Sequence, residues 1–132
     1  MFLNRLDASE KETFVSLAIR AAEANGQIAE EEYQMIEEYC REMNIEKFDM
    51  KTTLPKEDII KVSADSQEQH KKIVVLELIG LMYADGDYDA EENAFVEEIA
   101  NGIGVPIDAV KKMEKVLLKY VEMTKELMEC IE

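Results

Sequence analysis

The stretch YADGDYDAEENAFVEE, residues 83–98, decides how the rest of the chain is read. Its first residues close a nearly unbroken apolar run. Asp85-Gly86-Asp87-Tyr88 then reads as a tight acidic turn. From Asp89 onward the spacing is helical, with Phe95, Val96, Ile99 and Ile103 on one side. Asp89 is expected to cap this helix, and Glu92, three residues on, to complete a capping box. Sixty residues earlier lies a weaker copy, EANGQIAEEEYQMIEE, residues 23–38.

A shift of sixty residues superposes the two stretches without a gap. Ala24 meets Ala84, Gly26 meets Gly86, Glu31 and Glu32 meet Glu91 and Glu92, and Glu37 and Glu38 meet Glu97 and Glu98. Ile19 meets Ile79. Conservative pairs extend the match, among them Asn25 with Asp85, Ile36 with Val96, Asn44 with Gly104 and Ile45 with Val105. A helical hairpin cannot bury its apolar face alone. The two copies, residues 9–45 and 69–105, are therefore expected to pack face to face about a pseudo-twofold axis. The fold class this predicts is all-α: a single domain over residues 1–132, a bundle of about six helices built from two related hairpins.

The remaining elements follow from the repeat outward. A first helix over residues 8–24 carries Phe14, Leu17, Ala18, Ala21 and Ala22 at helical spacing, with Ser9 as its expected cap and Gly26 as its stop. A second, over residues 29–43, turns Tyr33, Ile36, Tyr39, Cys40 and Met43 inward and ends at Asn44. Residues 45–54 read as a connector. Pro55 suits the start of a short helix to about Val62. Ser66 is the expected cap of the next helix, to about Ala84. That helix is apolar on nearly all sides, which places it at the centre of the bundle. Gly102 and Gly104 are expected to end the helix after the acidic turn. Pro106 then opens the longest helix, to about Cys130, whose stripe is Val110, Met113, Leu117, Tyr120, Thr124, Leu127 and Ile131. Val116, Val121, Met123 and Met128 widen it.

Composition narrows the function. At 132 residues and 47% apolar content the chain can fold around a real core and is not disordered in composition. Five glycines and two prolines are few breakers for this length and favour helices. Thirty acidic residues against fifteen basic ones give a formal charge of -15. Such a chain repels phosphate backbones, which argues against nucleic-acid binding, and attracts cations or a basic patch on a protein partner. The charge is uneven: residues 73–110 hold nine carboxylates and no Lys or Arg, whereas residues 111–125 hold five lysines. Cys40 and Cys130 form no metal-binding spacing, so buried thiols in a reducing, cytoplasmic compartment are expected. No apolar run is long enough to span a bilayer, and the start of the chain has no secretory-signal layout.

The repeated pattern A-[DN]-G-x-[IY]-x-x-E-E, in a small acidic helical chain, resembles the TerB-like family. The resemblance rests on residues 24–38 and 84–98. It implies an all-α fold, a stress or tellurite-resistance setting, acidic residues that bind metal, and association with other stress proteins in place of catalysis. The first copy departs from the pattern. Asn25, Gln27 and Ala29 stand where the second copy has Asp85, Asp87 and Asp89, so the cation site belongs to the second hairpin.

Asp85, Asp87, Asp89, Glu91 and Glu92 put five carboxylates into eight residues. A hard cation such as Ca²⁺ or Mg²⁺ needs several oxygens at short range, and a turn of this kind can wrap one. It is not an EF-hand, because Ala90 stands at the glycine position and Val96 at that of the bidentate glutamate. Ordinary structural roles compete: Gly86 as a turn residue, Asp89 as a cap, and Glu91 and Glu92 as favourable charges at a helix N-terminus. Those roles leave Asp85 and Asp87 unaccounted for. Glu77 interrupts the most apolar helix where the first copy has Leu17. It is expected at the bundle rim or paired with a lysine; the alternative makes it an extra ligand near Asp85. His70, the only histidine, is expected in solvent. No zinc, nucleophile or phosphate-loop motif is present. The expected function is a non-enzymatic binding domain that takes a divalent cation, a protein partner, or both. The alternatives are an interaction module without metal and, more remotely, a metal-assisted hydrolase.

Overall fold

A computed structural model describes residues 1–24, 28, 30–46, 54–83 and 88–132. Among these the chain is all-helical. A 3-10 turn at Leu3–Arg5 precedes α1 (Ala8–Glu23), α2 (Glu30–Glu42), α3 (Lys56–Ala64), α4 (Glu68–Met82), α5 (Ala90–Ile103) and α6 (Ile107–Ile131). The expected six-helix bundle is what forms.

The reason α4 is central is visible in its sequence. Val75, Leu78, Ile79, Leu81 and Met82 are all fully buried, and they point in different directions around one helix, so neighbours must cover every side. The helix touches all five others and the 3-10 turn. Around it, α1 packs on α2 and α3, α3 on α5, and α5 on α6. Gly102, expected as a helix stop, lies inside α5. A Cβ there would come within 3.1 Å of the Ile60 side chain, so this glycine lets α3 approach α5 closely.

The sixty-residue offset survives at the level of elements. α1 and α4 begin at residues 8 and 68, and α2 and α5 at residues 30 and 90. The two hairpins also end alike. Asn44 (φ 61°) and Gly104 (φ 90°) take the left-handed conformation. Ile45 N–H donates to Cys40 C=O at 2.7 Å, and Val105 N–H to Ala100 C=O at 2.8 Å. These are matching bonds of a Schellman-type stop.

Several local expectations are corrected. The α1 cap is Asp7, not Ser9: its carboxylate accepts from Glu10 N–H at 2.8 Å, and Glu10 Oε1 accepts from Asp7 N–H at 2.8 Å. The acidic residue takes the capping box because it sits three residues before a glutamate. Gln67, not Ser66, occupies the α4 cap. On α2, Tyr33 faces solvent and Glu32 is buried in its place. Cys40 is buried but Cys130 is exposed; burial, then the charge of Glu37, raises the Cys40 thiol to about 11. The largest departure is on α6. Val110 and Leu117 are buried and Met113 is half-buried, but Tyr120, Thr124, Leu127 and Ile131 are exposed. The stripe runs past the end of the body that covers it. The stop at Gly26 and the residues Asn25, Gln27 and Ala29 lie outside the described residues, as does most of the 45–54 connector.

Candidate binding site

The acidic turn is only partly in view. Asp85, Gly86 and Asp87 lie outside the described residues. Asp89 is the α5 cap, as expected: its carboxylate accepts from Glu92 N–H at 2.8 Å, and Glu92 Oε1 accepts from Asp89 N–H at 3.2 Å. Glu92 is buried under this box, while Glu91 is exposed. Asp89, Ala90 and Glu91 border an open cavity of about 610 Å³ together with Ala24, so the ends of the two hairpins face one another across it. Among the described residues no three His, Cys, Asp or Glu side chains are grouped to hold a metal ion. Beside the turn, the Tyr83 and Tyr88 rings meet edge-to-face at 4.9 Å. Asn93 Nδ2 donates to Tyr88 Oη at 3.3 Å and to Glu114 Oε2 at 2.7 Å. Burial, with Glu114 adding to it, pushes the Tyr88 phenol up.

A second site had no motif to announce it. A cavity of about 480 Å³ opens between α2, α4 and α6. Met35 and Tyr39 come from α2, Leu76 and Gly80 from α4, Tyr83 from the α4 C-cap, and Leu117, Tyr120 and Val121 from α6; together with Met1 they make it mainly apolar. Three carboxylates join them: Glu38, Glu42 and Glu77. Among the described residues, no lysine or arginine lines it.

Glu77 anchors this cavity, and it does so neither through a lysine nor as a solvated rim residue. It is 5% exposed. Its Oε1 accepts from the Met1 ammonium at 2.8 Å and from Phe2 N–H at 2.8 Å. Glu42 Oε1 lies 3.1 Å from the same ammonium. A buried carboxylate needs such partners, because an uncompensated charge there would cost several kcal/mol. Burial tends to lower the Met1 ammonium, but its hydrogen bonds to Glu77 and Glu42 outweigh this and raise it above 8.0. Tyr39 Oη donates to the Glu77 backbone C=O at 3.2 Å. The Tyr39 phenol is pushed up by burial first and then by Glu77, Glu42 and Glu38. The alternative placing of Glu77 beside Asp85 cannot be drawn, since Asp85 lies outside the described residues. The one sequence signal for this cavity was a charge inside an apolar helix.

His70 is also corrected. Its side chain is 12% exposed, and Nδ1 lies 2.7 Å from Glu10 Oε1. Ser66 is a further hydrogen-bond partner of Glu10. The carboxylate sits between the imidazole and the hydroxyl, whereas a nucleophilic relay needs the imidazole in the middle. This cluster ties α1 to α4. Burial pushes Glu10 up, but the bonds from Asp7 N–H, Ser66 and His70 prevail and hold it below 4.5.

Fold and site together define a small all-α acidic domain with an acid-walled apolar cavity. Residues 56–115 are similar to the family described as Tellurite resistance protein TerB. The match spans just under half of the chain, from the start of α3 into α6, and includes the second acidic turn. No curated protein and no solved structure matches the chain.

Proposed function

We propose that this chain is a TerB-like binding domain, not an enzyme, which works in a reducing, cytoplasmic setting and captures a cationic segment of a protein partner. The observation that carries this reading is the cavity between α2, α4 and α6. Its walls are mainly apolar, its charged side chains among the described residues are carboxylates, and the Met1 primary ammonium sits between Glu42 and Glu77. Glu38 is exposed at the rim beside them. A lysine on an amphipathic helix would present the same ammonium with an apolar face around it. Isothermal calorimetry with a synthetic leucine–lysine helical peptide tests this. Binding is expected for wild type and at least tenfold weaker for Glu38→Gln/Glu42→Gln. Equal affinity for the two proteins, or for a leucine–glutamate peptide, rejects the reading.

A second component is a divalent cation at Asp85, Asp87, Asp89 and Glu91, with Glu92 supporting Asp89. It is favoured by Asp89 and Glu91 bordering the same open cavity. Ca²⁺ or Mg²⁺ is expected to move the amide resonances of residues 85–92 first, and Asp85→Asn/Asp87→Asn is expected to abolish the change. Spectra unmoved at millimolar metal reject it.

A further inference from the structure

We infer that the distal half of α6, residues 117–131, pairs antiparallel with the same segment of a second copy of this chain. This goes beyond the cavity reading and does not depend on it.

The stripe is continuous with an interface that already exists. Val110, Met113 and Leu117 carry α6 against α4 and α5. The same three-then-four spacing continues through Tyr120, Thr124, Leu127 and Ile131, with no described residue covering it. Leu127 is 61% exposed and Ile131 78%, and Met123 and Met128 on the margins are also at least half exposed. At 1.5 Å per residue the uncovered segment is roughly 20 Å long. Its large side chains leave on the order of 600–700 Å² of surface, above what a monomer usually exposes in one patch. Two copies would bury about 1,200–1,400 Å², within the range of a specific interface.

Charge selects the second copy over other occupants. The whole chain carries -15, which makes most of its surface repel another copy. The proposed segment, residues 117–131, is close to balance: Lys119 and Lys125 stand against Glu122, Glu126 and Glu129, and these lie off the apolar stripe. A helix made for an anionic lipid surface would instead have a basic polar face.

Thr124 fixes the centre. It is the one polar residue of the uncovered stripe, and its hydroxyl already donates to Tyr120 C=O at 2.9 Å. It can be buried at a twofold axis without leaving a donor unsatisfied. Antiparallel pairing about it sets Tyr120 against Met128 of the second copy and Leu127 against its Val121. The heptad spacing suits a shallow crossing of about 20°.

Sedimentation equilibrium and light scattering on the full chain test the inference, with variants at residues that line no part of the cavity. Wild type is expected to reach twice its 15.1 kDa as concentration rises from micromolar to submillimolar. Leu127→Glu, and separately Ile131→Glu, are expected to stay at 15.1 kDa with unchanged helical circular dichroism. Oxidised Thr124→Cys/Cys130→Ser is expected to give a disulfide-linked dimer. A wild-type mass of 15.1 kDa at every concentration overturns the inference. So does a dimer that both glutamate variants retain. Wild-type binding to phosphatidylserine-containing vesicles, lost in Leu127→Glu and without a dimer in solution, assigns the stripe to lipid and overturns it as well.

Discussion

Two buried carboxylates set limits on how this molecule tolerates pH. Glu10 has a folded value held below 4.5, so its contribution is present above 4.5 and is lost as pH falls through the folded value. Glu77 works through its partner. The Met1 ammonium is raised above 8.0, so that contribution is complete below 8.0 and is lost as pH rises through the raised value. Urea unfolding across pH is therefore expected to show a stability plateau with a fall on each side. Glu10→Gln should make the acid limb shallower and cost about 1–3 kcal/mol at neutral pH, the usual loss for a buried charged hydrogen bond. Glu77→Gln should do the same for the alkaline limb. Unchanged limbs in these variants would show that other groups govern the profile. Neither role was legible in the sequence. Glu10 carries no sequence signal of its own, and the partners that define it, His70 and Ser66, are about sixty positions away.

At the scale of elements, α4 and α6 make opposite demands. α4 is covered on all sides, and Leu78 is completely buried. Leu78→Ala is expected to cost about 2–5 kcal/mol by chemical denaturation, since the core cannot collapse fully into the space. Leu127→Ala on α6, the same deletion at a 61% exposed site, is expected to change monomer stability by less than about 0.5 kcal/mol. Comparable losses at both positions would mean that α6 is packed along its whole length. Helix ends offer a smaller test. Asp89→Ala should cost about 1 kcal/mol through loss of the α5 cap, and Asp89→Asn much less. Helix existence and order were legible because apolar spacing and caps are local signals. Asp89 with Glu92 was read correctly for that reason. The same logic misplaced the α1 cap by two residues, since Ser9 and Asp7 both precede a glutamate or threonine at usable spacing. The apolar stripe of α6 was legible too, but a stripe records only that a face seeks cover. It does not record whether the chain's own body is long enough to supply it.

For the whole molecule, the sixty-residue offset organises both the fold and the surface. Matching hairpins start and stop at equivalent positions, which is why the repeat of one motif at a fixed offset sufficed to read a bundle. Function was less legible because the hairpins differ where chemistry would lie: Glu77 replaces Leu17, and Asp85 and Asp87 replace Asn25 and Gln27. The cavity needs three helices and the chain start to meet, and no spacing rule brings those together in advance. The central claim is that the cavity captures a cationic, apolar-faced segment. Residue-resolved amide shifts of the full chain, followed while a leucine–lysine helical peptide is added, test it most directly. The account predicts that the largest changes gather at Met35, Glu38, Glu42, Gly80, Tyr83 and Tyr120. Changes spread evenly over all acidic surfaces, or confined to residues 91–98, would contradict it.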